Sequence, residues 1–156
     1  MPQRITVNRW VGLLAFVFGC HLGRPPAPVA SFSVGQVVAS SAEPGLQDAL
    51  KQGIASALSA NQMLAEKGTE AIDIAVLSAA IQSTGASLNA QMFAARLQIS
   101  VRVGSRSAQF SSERSYTVID AIQGESARAE AFHALALSLT EDAAMWLANA
   151  PRDSDG

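Results

Sequence analysis

The strictest alternation of apolar and polar positions lies in the segment AARLQISVRV. There Ala95, Leu97, Ile99, Val101 and Val103 fall on one side, and Arg96, Gln98, Ser100 and Arg102 on the other. Side chains of a strand repeat their direction every two residues, so this segment predicts a β-strand with one buried and one wet face. Weaker alternation marks three more strands. VASFSVGQVVAS, residues 29–40, places Phe32, Val34 and Val38 on one side with Ser31, Ser33 and Gly35 between them. AIDIAVLSAAIQ, residues 71–82, alternates Ile72, Ile74 and Val76 with Asp73 and Ala75. Ser83-Thr84-Gly85-Ala86-Ser87 then reads as a turn or loop. Gly104-Ser105-Arg106 predicts a short hairpin into a fourth strand, through Ala108, Phe110 and Tyr116 to about Ile119.

Twice the period lengthens to that of a helix. After the breaker cluster Ser40–Gly45, Leu46, Ala49, Leu50, Ile54, Ala57 and Leu58 recur at i, i+3, i+4 spacing, with Asp48 and Lys51 on other faces. This predicts a helix over 46–61. Met63 to Glu70, with Gly68, returns the chain to the sheet. Between Gly124 and Ala150 a second stripe forms from Phe132, Leu135, Leu139, Ala143, Trp146 and Leu147, with Glu130, Glu141 and Asp142 outside or beside it. Pro151 ends that helix, and Arg152 to Gly156 reads as a frayed tail. The order is βαβββα. Two helices on one face of a four-stranded, mainly antiparallel sheet bury all these apolar faces together, which predicts a single α+β domain over 29–151. No internal repeat is visible.

The amino terminus follows a different logic. In VGLLAFVFGC, every residue from Val11 to Gly19 is apolar or glycine. A membrane-crossing helix needs about 20 such residues, so the run is too short to span. It matches the hydrophobic region of an export signal, typically about 7–15 residues behind positive charge. Arg4 and Arg9 supply that charge, and no acid precedes Glu43. Gly19 then precedes Cys20, the one cysteine of the chain. The arrangement resembles the lipobox of bacterial lipoproteins, in which the cysteine becomes the lipidated first residue. Val17 fits that pattern, while Phe18 stands where alanine or serine is usual. Ordinary secretion and a retained core helix are the competing readings. Lipid attachment at Cys20 accounts best for a leftover thiol in an exported chain. Residues 1–19 are thus read as a signal peptide and 20–28 as a lipidated cysteine with a tether, because Pro25, Pro26 and Pro28 favour extended backbone. His21 follows Cys20 where many enteric lipoproteins of the inner membrane carry aspartate. The resemblance therefore implies an outer-membrane anchor, with the domain facing the periplasm.

Charge narrows the partners. Without residues 1–19 the chain has 137 residues, a one-domain length. It also loses Arg4 and Arg9, so nine basic residues face 13 acidic ones for a formal charge of −4. A mildly acidic chain with no run of Lys and Arg argues against non-specific nucleic-acid binding. No second apolar run reaches spanning length.

Catalytic chemistry finds little footing. His21 lies in the tether, and His133 lies beside Phe132 in the second helix, where a surface histidine is the plainer reading. G-x-S-x-G, H-E-x-x-H, paired cysteines and a glycine-rich phosphate loop are all missing from the sequence. Glu141 and Asp142 are neighbours, yet adjacent helix positions point about 100° apart. The expectation is a non-enzymatic protein without a cofactor or metal. The polar face of the central hairpin is more suggestive. Arg96 and Arg102 share one side of a strand, Arg106 lies in the turn and Arg114 on the next strand, with no acid before Glu113. Guanidinium forks suit phosphate and carboxylate groups. The plainer account is that an antiparallel sheet leaves one face wet and places charges there. Both readings stay open at this point.

An exported lipoprotein of this size, with βαβββα order and a wet basic sheet face, resembles the lipopolysaccharide-assembly lipoprotein family. The resemblance rests on architecture over residues 20–150 and on Cys20. It implies a protein seated in an outer-membrane barrel, supporting barrel folding and contacting lipopolysaccharide phosphates through basic residues, here Arg96 and Arg102; Arg106 and Arg114 are candidate ligand or partner contacts from the residue pattern alone. A lipoprotein that regulates or scaffolds a cell-wall synthase or secretion complex is the alternative.

Overall fold

The computed structural model describes residues 30–39, 43–66 and 70–149. Cys20, the tether, the export run and the tail lie outside the described residues. Six elements follow in the order β1 (Phe32–Val38), α1 (Leu46–Ala60), β2 (Glu70–Ser87), β3 (Ala90–Val103), β4 (Arg106–Val118) and α2 (Ala121–Asn149). The sheet order is β1-β2-β3-β4. β1 and β2 are parallel and joined through α1, whereas β2–β3 and β3–β4 are antiparallel hairpins. The chain is an α+β fold of the expected order, with one parallel pair among three.

The β3–β4 hairpin turns at Gly104-Ser105, and Gly104 takes a φ of 56°, which a residue with a side chain adopts at a cost. Arg106 is the first residue of β4 rather than part of the turn. Two other expectations are corrected. In β1 the alternation places Val34 and Val38 beside Phe32, but a bulge between Val34 and Val37 shifts the register. Val37 is buried as a result, and Val38 is 45% exposed. Gly35 permits the bulge: a Cβ there would lie 2.5 Å from Asp73 Oδ1, the same oxygen that accepts the Gln36 N–H at 2.9 Å. The second correction concerns residues 83–87. These turn-forming residues stay in β2, with Ser83 opposite Phe93, Gly85 opposite Met92 and Ser87 opposite Ala90. The reversal comes instead at Leu88-Asn89. A ladder of backbone hydrogen bonds to β3 outweighs the local preference, and a register shift between Ser83 and Gly85 absorbs the extra residue.

Both helical stripes are buried as their spacing requires. Leu46, Ala49, Leu50, Ile54, Ala57 and Leu58 of α1 meet Phe132, Leu135, Leu139, Ala143 and Leu147 of α2 over Ile72, Ile74, Leu97, Ile99, Val101 and Val103. α2 covers β4 and β3, and α1 lies against β1. The helices approach closely at Gly53, where a Cβ would stand 2.5 Å from Thr140 Oγ1. Thr140 is fully buried, and its hydroxyl donates within its own helix, to the Ala136 carbonyl at 2.9 Å or the Leu137 carbonyl at 2.8 Å. Phe93 and Tyr116, directly opposite across β3 and β4, stack at 5.5 Å, and Phe110 meets Trp146 edge-on at 6.2 Å. No helix among the described residues is long and apolar enough to cross a membrane.

Candidate functional site

Because α1 and α2 occupy one face of the sheet, the other is open among the described residues. Register assigns its residues. Ile99 is buried opposite Phe110, so its neighbours Gln98 and Ser100 point the other way, opposite Ser111 and Gln109. Ala71, Asp73, Ala75, Ser78, Ala80 and Gln82 of β2 continue the same face, as do Arg96 and Arg102 of β3 and Ser107, Glu113, Ser115 and Thr117 of β4. Its side chains are mostly small or polar. A groove of about 550 Å³ runs over Ser78, Ala80, Arg96, Gln98, Ser111 and Glu113.

The four arginines separate into two pairs. Arg96 and Arg102 lie on the open face as their spacing requires. Six residues of strand separate them, roughly 20 Å, so they cannot close on one phosphate. Arg106 stands opposite buried Val103 and Arg114 opposite buried Ala95, which places both on the helix side of β4. The structure therefore does not bring all four together.

Three of the four meet a carboxylate. Arg96 pairs with Glu113, its direct cross-strand neighbour. Arg102 Nη2 lies 3.6 Å from Asp73 Oδ2, again directly across the strands, and Arg106 Nη2 lies 3.2 Å from Glu70 Oε2. Arg114 has no ion pair among the described residues. The side chains of Arg96 and Arg102 remain 61% and 69% exposed, so both bridges face water and are each worth about 0–1 kcal/mol. Asp73 does double work, since its other oxygen holds the β1 bulge through Gln36. The acidic partners escape a reading that follows strands singly. One signal could have found Glu113: folding the hairpin about Gly104-Ser105 brings Arg96 onto it.

His133 lies exposed on α2 in a shallow groove of about 350 Å³, shared with Glu130, Ser126 and the Pro44–Leu46 turn. A histidine and a carboxylate thus sit together, but in open solvent. No group of three or more metal-ligating side chains occurs among the described residues. Glu141 and Asp142 are exposed.

No family model matches the chain, and no curated protein does. Solved structures do. A minor lipoprotein from Acinetobacter baumannii aligns with a TM-score of 0.55 at 14% identity, covering 77% of this chain and 93% of its own. Protein XCC0632 from Xanthomonas campestris, of family DUF330, gives a TM-score of 0.55 at 18% identity over 80% of this chain and 88% of its own. The chain has a fold found in bacterial lipoproteins.

Proposed function

We propose that this protein is a non-enzymatic envelope lipoprotein, anchored through Cys20, whose open sheet face docks a partner during envelope assembly. The observation that carries the reading is that face: mostly polar, free of the two helices and marked by Arg96 and Arg102 in one line. Their bridges to Glu113 and Asp73 are solvent-exposed, so a partner's anionic group can replace either carboxylate at little cost. Within this reading the partner is an outer-membrane barrel and the anion a lipopolysaccharide phosphate. A double variant, Arg96→Glu/Arg102→Glu, tests it in the source cell. Increased permeability to large apolar antibiotics is expected with the protein present at normal abundance; normal permeability overturns the reading.

One observation favours a second reading. Each of these arginines already has a carboxylate opposite, so the face carries little net positive charge. That suits a protein partner, such as a cell-wall synthase or secretion component, better than a phosphate-rich lipid. Cross-linking from the open face distinguishes the two by recovering either a barrel protein or a synthase or secretion subunit.

A further inference from the structure

β1 covers only the first part of β2, from Phe32 opposite Glu70 to Val38 opposite Ala75. From Val76 to Ser87, β2 has β3 on one side and, among the described residues, no strand on the other. This free edge reads VLSAAIQSTGAS and contains no charged residue and no proline. Natural sheets blunt exposed edges with charge, proline or cover, because unpaired N–H and C=O groups recruit another strand. The other edges of this sheet show such devices. β4 carries Arg106, Glu113 and Arg114 along its outer strand. β1 is capped at Phe32, whose N–H donates to Met63 O at 2.7 Å and whose carbonyl accepts from Ala65 N at 2.9 Å. Register shifts at Val76/Ser78 and Ser83/Gly85 bracket the free edge and leave Ser78–Ser83 regular between them.

We infer that this edge is a self-association surface: two copies pair antiparallel along Val76–Ser87, about a two-fold axis at its midpoint, on Ile81 or Gln82, joining their sheets. Several observations choose a second copy as the occupant. An axis on Ile81 sets Ala80 against Gln82 on the open face and Ala79 against Ser83 on the helix side, and an axis on Gln82 sets Gln82 against itself and Ile81 against Ser83, so no like charges meet. The exposed apolar residues also match under this symmetry. Leu77 is 49% exposed and Val38 45% where β1 stops, and Leu88 is fully exposed in the turn beyond the opposite end. Antiparallel pairing superposes opposite ends, which carries Leu88 of each copy toward Leu77 and Val38 of the other. The end of β1 then limits how far the incoming turn can slide. The free length and the strand that fills it are the same segment.

The test uses the full chain in detergent, with Ile81→Cys and Gln82→Cys made separately and oxidised. Directly opposed residues in an antiparallel pair have Cα atoms about 4.5–5.5 Å apart, within disulfide reach. At least one variant is expected to run at twice the monomer mass until reduced, well above the wild type with Cys20 and above a Ser111→Cys control. Adding Ala80→Lys sets like charges beside the axis and is expected to reduce that species at least fivefold. The inference is overturned if neither variant exceeds the wild type, if Ser111→Cys cross-links equally, or if Ala80→Lys changes nothing. Gln82 is exposed, so its variant tests the pairing even should Ile81→Cys misfold.

Discussion

Arg128 grips Glu43 across 85 residues of sequence, its Nε standing 2.9 Å from Oε1 and 3.0 Å from Oε2 while Nη2 also reaches Oε1. The pair ties the segment before α1 to the first half of α2. Its two ends differ in environment, since the Glu43 side chain is 9% exposed and that of Arg128 is 44% exposed. The bond to Glu43 raises the Arg128 pKa further above its ordinary value.

Removing the arginine therefore strands a nearly buried carboxylate. Arg128→Met is expected to lower stability by about 1–3 kcal/mol, less than the roughly 3–5 kcal/mol of a fully buried broken pair because the guanidinium side is screened by water. Arg128→Met/Glu43→Gln should recover part of the loss. Urea unfolding of the full chain in detergent measures both; equal stability of Arg128→Met and wild type contradicts the role given to the pair.

Tyr116 provides a spectroscopic reporter, being the one tyrosine in the sequence. Burial raises its pKa above the ordinary 10.0, the Arg128 charge lowers it, and Glu43 raises it. Absorbance of the phenolate should therefore appear at higher pH in the folded protein than in denaturant. Arg128→Met should move the midpoint higher still, because it deletes the lowering charge and leaves Glu43 behind. For stability the sign is that of a raised folded pKa. The contribution is complete below about pH 10 and is lost as pH rises from there through the folded value. Coincident folded and denatured titrations would remove this account.

At the helix crossing, Gly53 exchanges helix propensity for proximity. Alanine there gains about 1 kcal/mol of propensity but drives a Cβ into the buried Thr140 hydroxyl, and overpacking of this kind costs about 1–3 kcal/mol. Gly53→Ala is thus expected to be neutral to destabilising by about 2 kcal/mol in the native background. With Thr140→Ala the obstructing oxygen is gone, and the same substitution should become stabilising. The difference between the two backgrounds, read from thermal or urea unfolding, carries the test.

How much was legible in the sequence depends on the element. The α1 stripe from Leu46 to Leu58 and the α2 stripe from Phe132 to Leu147 are buried as their periods require, since side-chain direction in a helix is set within a few residues. β3 alternates in the structure as it does on paper. β1 does not, because its bulge depends on Asp73, which lies 37 residues beyond Gln36. Residues 83–87 have turn composition, yet they pair with Phe93, Met92 and Ala90, partners that no local window contains.

The candidate face divides along the same line. Its two aligned arginines, Arg96 and Arg102, followed from period two within one strand. That Arg106 and Arg114 face the helices, that Glu113, Asp73 and Glu70 meet three of the four guanidinium groups, and that β1 stops short and leaves two-thirds of β2 open among the described residues were decided by register between strands. The sequence by itself determined both helices with their buried stripes and the alternation of β3, because those follow from backbone geometry over a few residues. The tertiary structure decided which charges meet and which edge stays free, because both depend on the alignment of residues far apart in the chain, which only packing sets.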